Sequence, residues 1–211
     1  MKKFELTNEF ITNMFGTKLF RIRALVEFGD VEAGELGGYV EKESNLGHDD
    51  NAWVDDNAWV YGNARVYGDA LVYDNARVYG NARVYDNALV YDNAWVYGNA
   101  QVSGDAQVSG DALVYGNARV YGNALVCGDA RVCGDARVCG NGDYAYAHGF
   151  GSVNRTTTFF RLKDGGVGVR CGCFYGTLAQ FRDKIRETHG ETKKAQEYLM
   201  LADLMKLRFE K

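Results

Sequence analysis

The stretch ARVYGNARVYDNALVYDNAWVYGN, residues 76–99, decides the fold, because it is a single six-residue unit written four times. Ala-x-Val recurs every six residues from Ala52/Val54 to Ala136/Val138, 15 consecutive copies without a slip. The unit is Ala-x-Val-Tyr-(Gly/Asp)-(Asn/Asp). Side chains alternate along an extended segment, so Ala and Val share one face while x and Tyr share the other. Val is β-branched and suits a packed interior; Ala is small and suits a crowded corner. Gly, Asp and Asn tolerate turn and left-handed backbone. A short strand and a tight corner every six residues give a triangular coil of three units. Coils of 18 residues then stack in parallel at about 4.8 Å each.

Working outward, Val40 and Leu46 add two earlier units, and GHDDN (47–51) inserts two extra residues before Val54. Seventeen units predict between five and six coils, a prism on the order of 27 Å long. Proline, which lacks the N–H a ladder needs, is absent.

Sorting the outward x position by 18 gives three columns. The first face reads Trp53, Leu71, Leu89, Gln107, Leu125. It is mostly apolar, and such a strip usually marks association, here expected to be a subunit interface, most simply a homotrimer. The second reads Trp59, Arg77, Trp95, Leu113, Arg131. The third reads Arg65, Arg83, Gln101, Arg119, Arg137, beside Tyr67, Tyr85, Ser103, Tyr121 and Cys139. Arginine forks suit phosphate or carboxylate and tyrosine offers a ring, so Arg65, Tyr67, Arg83, Tyr85, Arg119, Tyr121 and Arg137 are the candidate ligand-binding set. Two other readings stay open: a protein partner, or arginines lying over tyrosines to solubilise a β face. At the corners, Asn63, Asn81, Asn99 and Asn117 should bond coil to coil, and Asp56, Asp74 and Asp92 form a column too poor in ligands for a cation.

Catalytic and metal signals are weak. His48 lies in the insertion beside Asp49 and Asp50, His148 beyond the coils and His189 at a helix end; no inserted loop forms a lid over the prism. Cys127, Cys133 and Cys139 should point from three different faces, beyond bridging distance. Cys171 and Cys173 read as strand residues on one face, with a spacing that zinc rarely uses. No catalytic residue, metal or cofactor is expected.

The ends depart from the period. LFRIRALVEF (19–28) alternates like a strand and leads into a cap over the first coil. TTTFFRLK, a turn at Asp164–Gly166 and VGVRCGCFYG read as a hairpin. Thr177 with Gln180 is a capping box opening LAQFRDKIRETH, which Gly190 closes; Thr192 opens a last helix buried along Tyr198, Leu199, Ala202, Met205 and Phe209. The expected organisation is a mainly β chain: cap 1–39, β-helix 40–141, run-out 142–156 and a ββαα unit 157–211.

The repeat resembles the hexapeptide-repeat family, and that resemblance implies a left-handed parallel β-helix, against the usual right-handed crossover. The head GDVEAGELGGYVEKESNL (29–46), the YGNARV units and the tail CGCFYGTLAQFRDKIRETHG (171–190) together resemble a group of bacteriophage and prophage accessory proteins. The resemblance covers essentially the whole chain. With the Arg/Tyr surfaces, the expectation is a phage-encoded binding protein in the cytoplasm of a bacterial host, holding a host protein or a small anionic, nucleotide-like host signal, as in anti-defence. An acyltransferase, which many hexapeptide-repeat proteins are, and a structural particle component are the alternatives. The net charge of −4 speaks against nonspecific nucleic-acid binding. Residues 1–51 carry 6 basic and 10 acidic side chains and residues 157–211 carry 11 and 7. No apolar run is long enough for a membrane span, and MKKFELTNEF lacks the apolar core of a secretory signal. Five cysteines, an odd number, fit reduced thiols.

Overall fold

The computed structural model describes residues 1–151 and 153–210. Three strands come first, β1 (Phe4–Thr12), β2 (Lys18–Ala24) and β3 (Leu36–Val40). Fifteen two-residue strands follow at six-residue intervals, β4 (Trp53–Val54) through β18 (Arg137–Val138). The chain ends with β19 (Tyr144–Phe150), β20 (Arg155–Arg161), β21 (Val167–Cys171), β22 (Phe174–Thr177), α1 (Leu178–His189) and α2 (Lys193–Phe209).

Each short strand pairs in parallel with the strand three further on, as Arg65 with Arg83 and Val66 with Val84. The result is a β-solenoid of about six turns of 18 residues with three parallel sheets. Every Ala and Val of the repeat is fully buried, so the prism has one continuous Ala/Val core. Amides at the x and Tyr positions donate to carbonyls of the next coil, as Arg77 to Ala94 (2.9 Å) and Tyr79 to Val96 (3.0 Å). The fifth residue of the unit takes a positive φ, for instance +70° at Gly116 and +58° at Asp74. Glycine meets this without cost. Aspartate pairs there with the next coil: Asp74 Oδ2 accepts from the Asp92 amide at 3.2 Å, and Asp92 Oδ2 from the Gly110 amide at 2.9 Å. The asparagine corner forms the expected ladder, Asn63 to Asn81 to Asn99 to Asn117, at 3.1–3.2 Å.

The two ends are closed by different chemistry. At the first coil the Ala carbonyls point outward and need donors. The buried Lys3 ammonium donates to Ala52 O (2.7 Å) and Asp50 O (3.2 Å), and the buried Asn45 amide to Ala64 O (2.8 Å) and Gly62 O (3.2 Å). Burial lowers the Lys3 ammonium to about 8, against the pull of Asp50, Asp49 and Asp69. At the last coil the outward groups are amides. Acceptors come from Asn141 Oδ1 for Leu125, Thr158 Oγ1 for Arg131 and Asp143 Oδ2 for Cys139.

Several expectations are corrected. Residues 4–12, outside the alternating stretch 19–28, form a full strand antiparallel to β2; the β1–β2 hairpin extends the second face through β3 and β5. The expected run-out 142–156 contains β19, which pairs with β20, so the tail sheet has four strands instead of two. Phe159 and Phe160 on β20 face opposite ways: Phe160 joins the solenoid core and Phe159 the core beneath α1 and α2. Cys171 and Cys173 do not share a strand face. Gly172, at φ +58°, and Cys173 form the two-residue turn between β21 and β22, with Cys171 opposite Phe174. Both helices begin and end as expected, with the Thr177/Gln180 capping box formed.

The core assignment is testable at Val84, which is fully buried between Val66 and Val102. Val84→Asp should destabilise the protein by at least about 3 kcal/mol, because it places an unpaired charge in a dry interior. An unchanged thermal or denaturant midpoint would contradict the inward placement of the Val column.

Candidate functional site

The third face carries the candidate binding set, and the structure divides it. In register, Arg65 lies beside Arg83, Arg83 beside Gln101, Gln101 beside Arg119 and Arg119 beside Arg137. Tyr67 and Tyr85 stack at 5.1 Å with planes 2° apart, and the stack stops at Ser103. Gln101 and Ser103 thus separate an upper cluster, Arg65/Tyr67/Arg83/Tyr85, from Arg119/Tyr121 below. Arg137 is tied down: its Nη1 donates to Ala136 O (2.8 Å) and Asn117 O (3.1 Å). The seven residues are one column but not one site.

The arginine-over-aromatic arrangement is realised on the second face. Arg77 lies over Trp59 at 4.2 Å and Trp95 at 5.0 Å, beside a four-ring stack of Tyr61, Tyr79, Tyr97 and Tyr115. Among the described residues, Arg65, Arg83 and Arg119 have neither an ion pair nor a guanidinium–ring stack of that kind.

Arg65 and Tyr67 of the upper cluster face a recess. Gly47 donates its amide to Val66 O at 2.8 Å, which places it in line with Tyr67 at the position a ring would occupy in a repeat unit. The Tyr67 ring is therefore uncovered toward the N-terminal end. The cap walls this spot into a recess of about 490 Å³, lined among others by Glu43, Gly47, His48, Asp49, Arg65 and Tyr67. Lys2 bridges to Glu43 at 3.0 Å, and hydrogen bonds from Lys2 and His48 hold the Glu43 carboxyl below its ordinary range. His48 is occupied on both ring nitrogens: Nδ1 accepts from the Lys3 amide at 3.2 Å and Nε2 lies 3.0 Å from Glu43. Its ring also stacks on Phe4 at 4.5 Å. Its visible role is to fasten the cap.

The basic side chains of the tail lie outside this recess. Arg161 donates to Phe209 O and lies 3.7 Å from Asp143, Arg170 donates to Cys173 O, and Lys163 lines a separate recess with Asp135 and Tyr175. On the first face, Leu71 and Leu125 are 38% and 37% exposed and Leu89 is half-buried. Trp53 departs from its column: only 2% exposed, it packs edge-on against Phe28 at 5.3 Å beneath the cap. Position in the repeat gave no sign of this, because Phe28 lies outside the period. Among the described residues no cluster of His, Cys, Asp and Glu could hold a metal ion, and all five cysteines are free. No helix among them is long and apolar enough to cross a membrane.

The chain is a repeat β-helix protein. The family described as YdcK Beta solenoid repeat matches residues 58–74, 70–83, 82–98, 100–116, 106–120, 114–128 and 118–134, all within the coils. To that repeat the solenoid is similar; the head and tail lie outside the matched residues. No curated protein matches the chain.

The ring stacks give the fold a pH signature. Burial raises Tyr79 to about 12 and pushes Tyr61, Tyr97 and Tyr115 upward as well. The folded pKa exceeds the unfolded value of about 10, so this contribution is fully present below pH 10 and is lost as pH rises from 10 toward 12. Phenolate absorbance should therefore lag free tyrosine and appear together with loss of the β circular-dichroism signal. Ordinary titration of all tyrosines near pH 10 in a folded chain would refute it.

Proposed function

We propose that the protein acts by binding rather than by catalysis, and that the upper end of the third face holds a small planar anion of nucleotide type. The ligand lies on the uncovered Tyr67 ring in the place left by Gly47, and Arg65 and Arg83 take its phosphate or carboxylate. The carrying observation is the coincidence of the Tyr67 ring and the unpaired Arg65 in one walled recess, with Arg83 in register beside Arg65, since tight small-molecule sites are concave. Because Lys2 and His48 engage Glu43, Asp49 is the acidic lining residue left to oppose the anion.

The wider setting belongs to the same reading. The protein is a phage-encoded accessory factor in a bacterial cytoplasm, holding back a host signal without altering it. Copies associate through the first face, most simply as a trimer, with Leu71, Leu89 and Leu125 in the contact. The exposure of two of these leucines supports this.

The test is calorimetry against a nucleotide panel. Arg65→Ala with Arg83→Ala should weaken the best binder at least about tenfold, given about 1.5–3 kcal/mol for a hydrogen bond to a charged group. Gly47→Tyr should abolish binding by filling the recess. Arg119→Ala, below the Gln101 break, should leave affinity unchanged, and the arginine variants should keep the wild-type melting temperature and oligomer size. No binder for the wild type, or equal binding by the Arg65/Arg83 variant, would overturn the reading.

A further inference from the structure

The first face has its own gap in the ring ladder, of opposite charge. Tyr73 and Tyr91 stack at 5.0 Å with planes 1° apart. Above Tyr73, at the tyrosine position of the first unit, stands Asp55, registered by its amide to Val72 O at 2.8 Å. The gap opens into a recess of about 500 Å³ between the cap and the first coil. Trp53, Leu71 and Tyr73 form apolar walls, and Asp30, Glu35 and Asp55 are among its carboxylates. Asp56 and Asp69 also line it, but they already accept from the Asp74 amide and from Asn51, and Glu35 accepts from the Glu32 amide at 2.9 Å. Among the described residues none of these five carboxylates has an ion-pair partner. Of the cations nearby, Arg21 is committed to Glu9 and Tyr39, and the Lys3 ammonium to Ala52 O and Asp50 O. A second, independent feature is Trp53. It is 98% buried in the recess wall, and its indole Nε1–H has no hydrogen-bond partner.

We infer that this recess binds a guanidinium group, the head of an arginine, stacked on Tyr73 and paired with Asp55. A flat cation fits the place of one missing ring better than a compact ammonium does. Guanidinium stacks on aromatic faces, is weakly hydrated and presents a fork that matches a carboxylate. The aliphatic stem of arginine matches the Leu71 and Trp53 walls. A metal is a poorer occupant, because the carboxylates do not converge to a ligand cluster. This site is independent of the third-face anion site.

Two sources carry this chemistry, free arginine and an arginyl side chain in a peptide. Calorimetry with free arginine, Nα-acetyl-arginine amide and the matching citrulline amide, which is planar but uncharged, separates them. At least one arginine probe should bind the wild type while the citrulline amide does not. Asp55→Asn should weaken that binding at least tenfold. Asp55→Tyr, which completes the ladder and fills the gap, should abolish it without lowering the melting temperature. The Arg65/Arg83 double alanine variant should bind as the wild type does, so that failure here is distinct from failure at the other face. Comparable affinity for the free and blocked probes assigns a small-molecule source; binding of the blocked probe alone assigns a peptide. Absence of binding by both at millimolar concentration, equal binding of citrulline, or binding that persists in Asp55→Tyr would overturn the inference.

Discussion

Hydrogen bonds that run from one coil to the next hold everything else in place. An amide at an x or Tyr position finds its acceptor 17 residues later, as Tyr79 does at Val96 and Tyr97 at Val114. Extra residues are tolerated only where they bulge out at a corner, as at 47–51, where Val40 still pairs with Val60 and Leu46 with Val66. Strict length in turn fixes which side chains share a column, so ring stacks, amide ladders and arginine pairs follow from backbone pairing. The unpaired groups left at the two ends differ in kind, which is why Lys3 and Asn45 supply donors at one end and Asn141, Asp143 and Thr158 supply acceptors at the other. The Lys3 ammonium, which only donates, and the Asp143 carboxylate, which only accepts, could not exchange places.

The corners show how much latitude that constraint leaves. Gly62 could not carry a side chain without pressing within 3.2 Å of the Gly80 backbone, and its φ is +69°. Asp74 and Asp92 occupy equivalent backbone at another corner, where a carboxylate bonded to the next coil offsets the left-handed conformation. The repeat is thus conserved in conformation while its residue type varies. Variation becomes informative at the outward positions. Gly47 and Asp55 stand where a repeat unit would place a ring, and each leaves one face of the next ring, Tyr67 or Tyr73, available.

Periodicity made the coils legible. The Val column, the three faces, the two-residue insertion before Val54 and the Asn ladder all follow from spacing by six and 18, because backbone pairing repeats at those intervals. The caps were less legible, since each of their contacts occurs once. Nothing in the spacing of Phe28 indicates that it covers Trp53, and nothing in GNGDYAYAHGF marks a strand until Thr157, Phe159 and Phe160 are seen opposite Ala147, Ala145 and Tyr144. The candidate site was half legible. Its arginines and tyrosines were visible as a column, but its boundaries were not, because they depend on Gly47, His48 and Glu43 from the cap and on the interruption at Gln101.

Three sheets around one axis also make the molecule behave as a combination lock. Adding or removing three units would slide the tail along the axis by about 4.8 Å and leave its bearing relative to the head unchanged. A change of one unit would swing the tail to the next face of the prism, about a third of a turn for three sheets arranged by the parallel pairing of successive coils. Lineages that gain or lose repeats can therefore change the length of this protein in steps of 18 residues while the head keeps facing the same side as the tail.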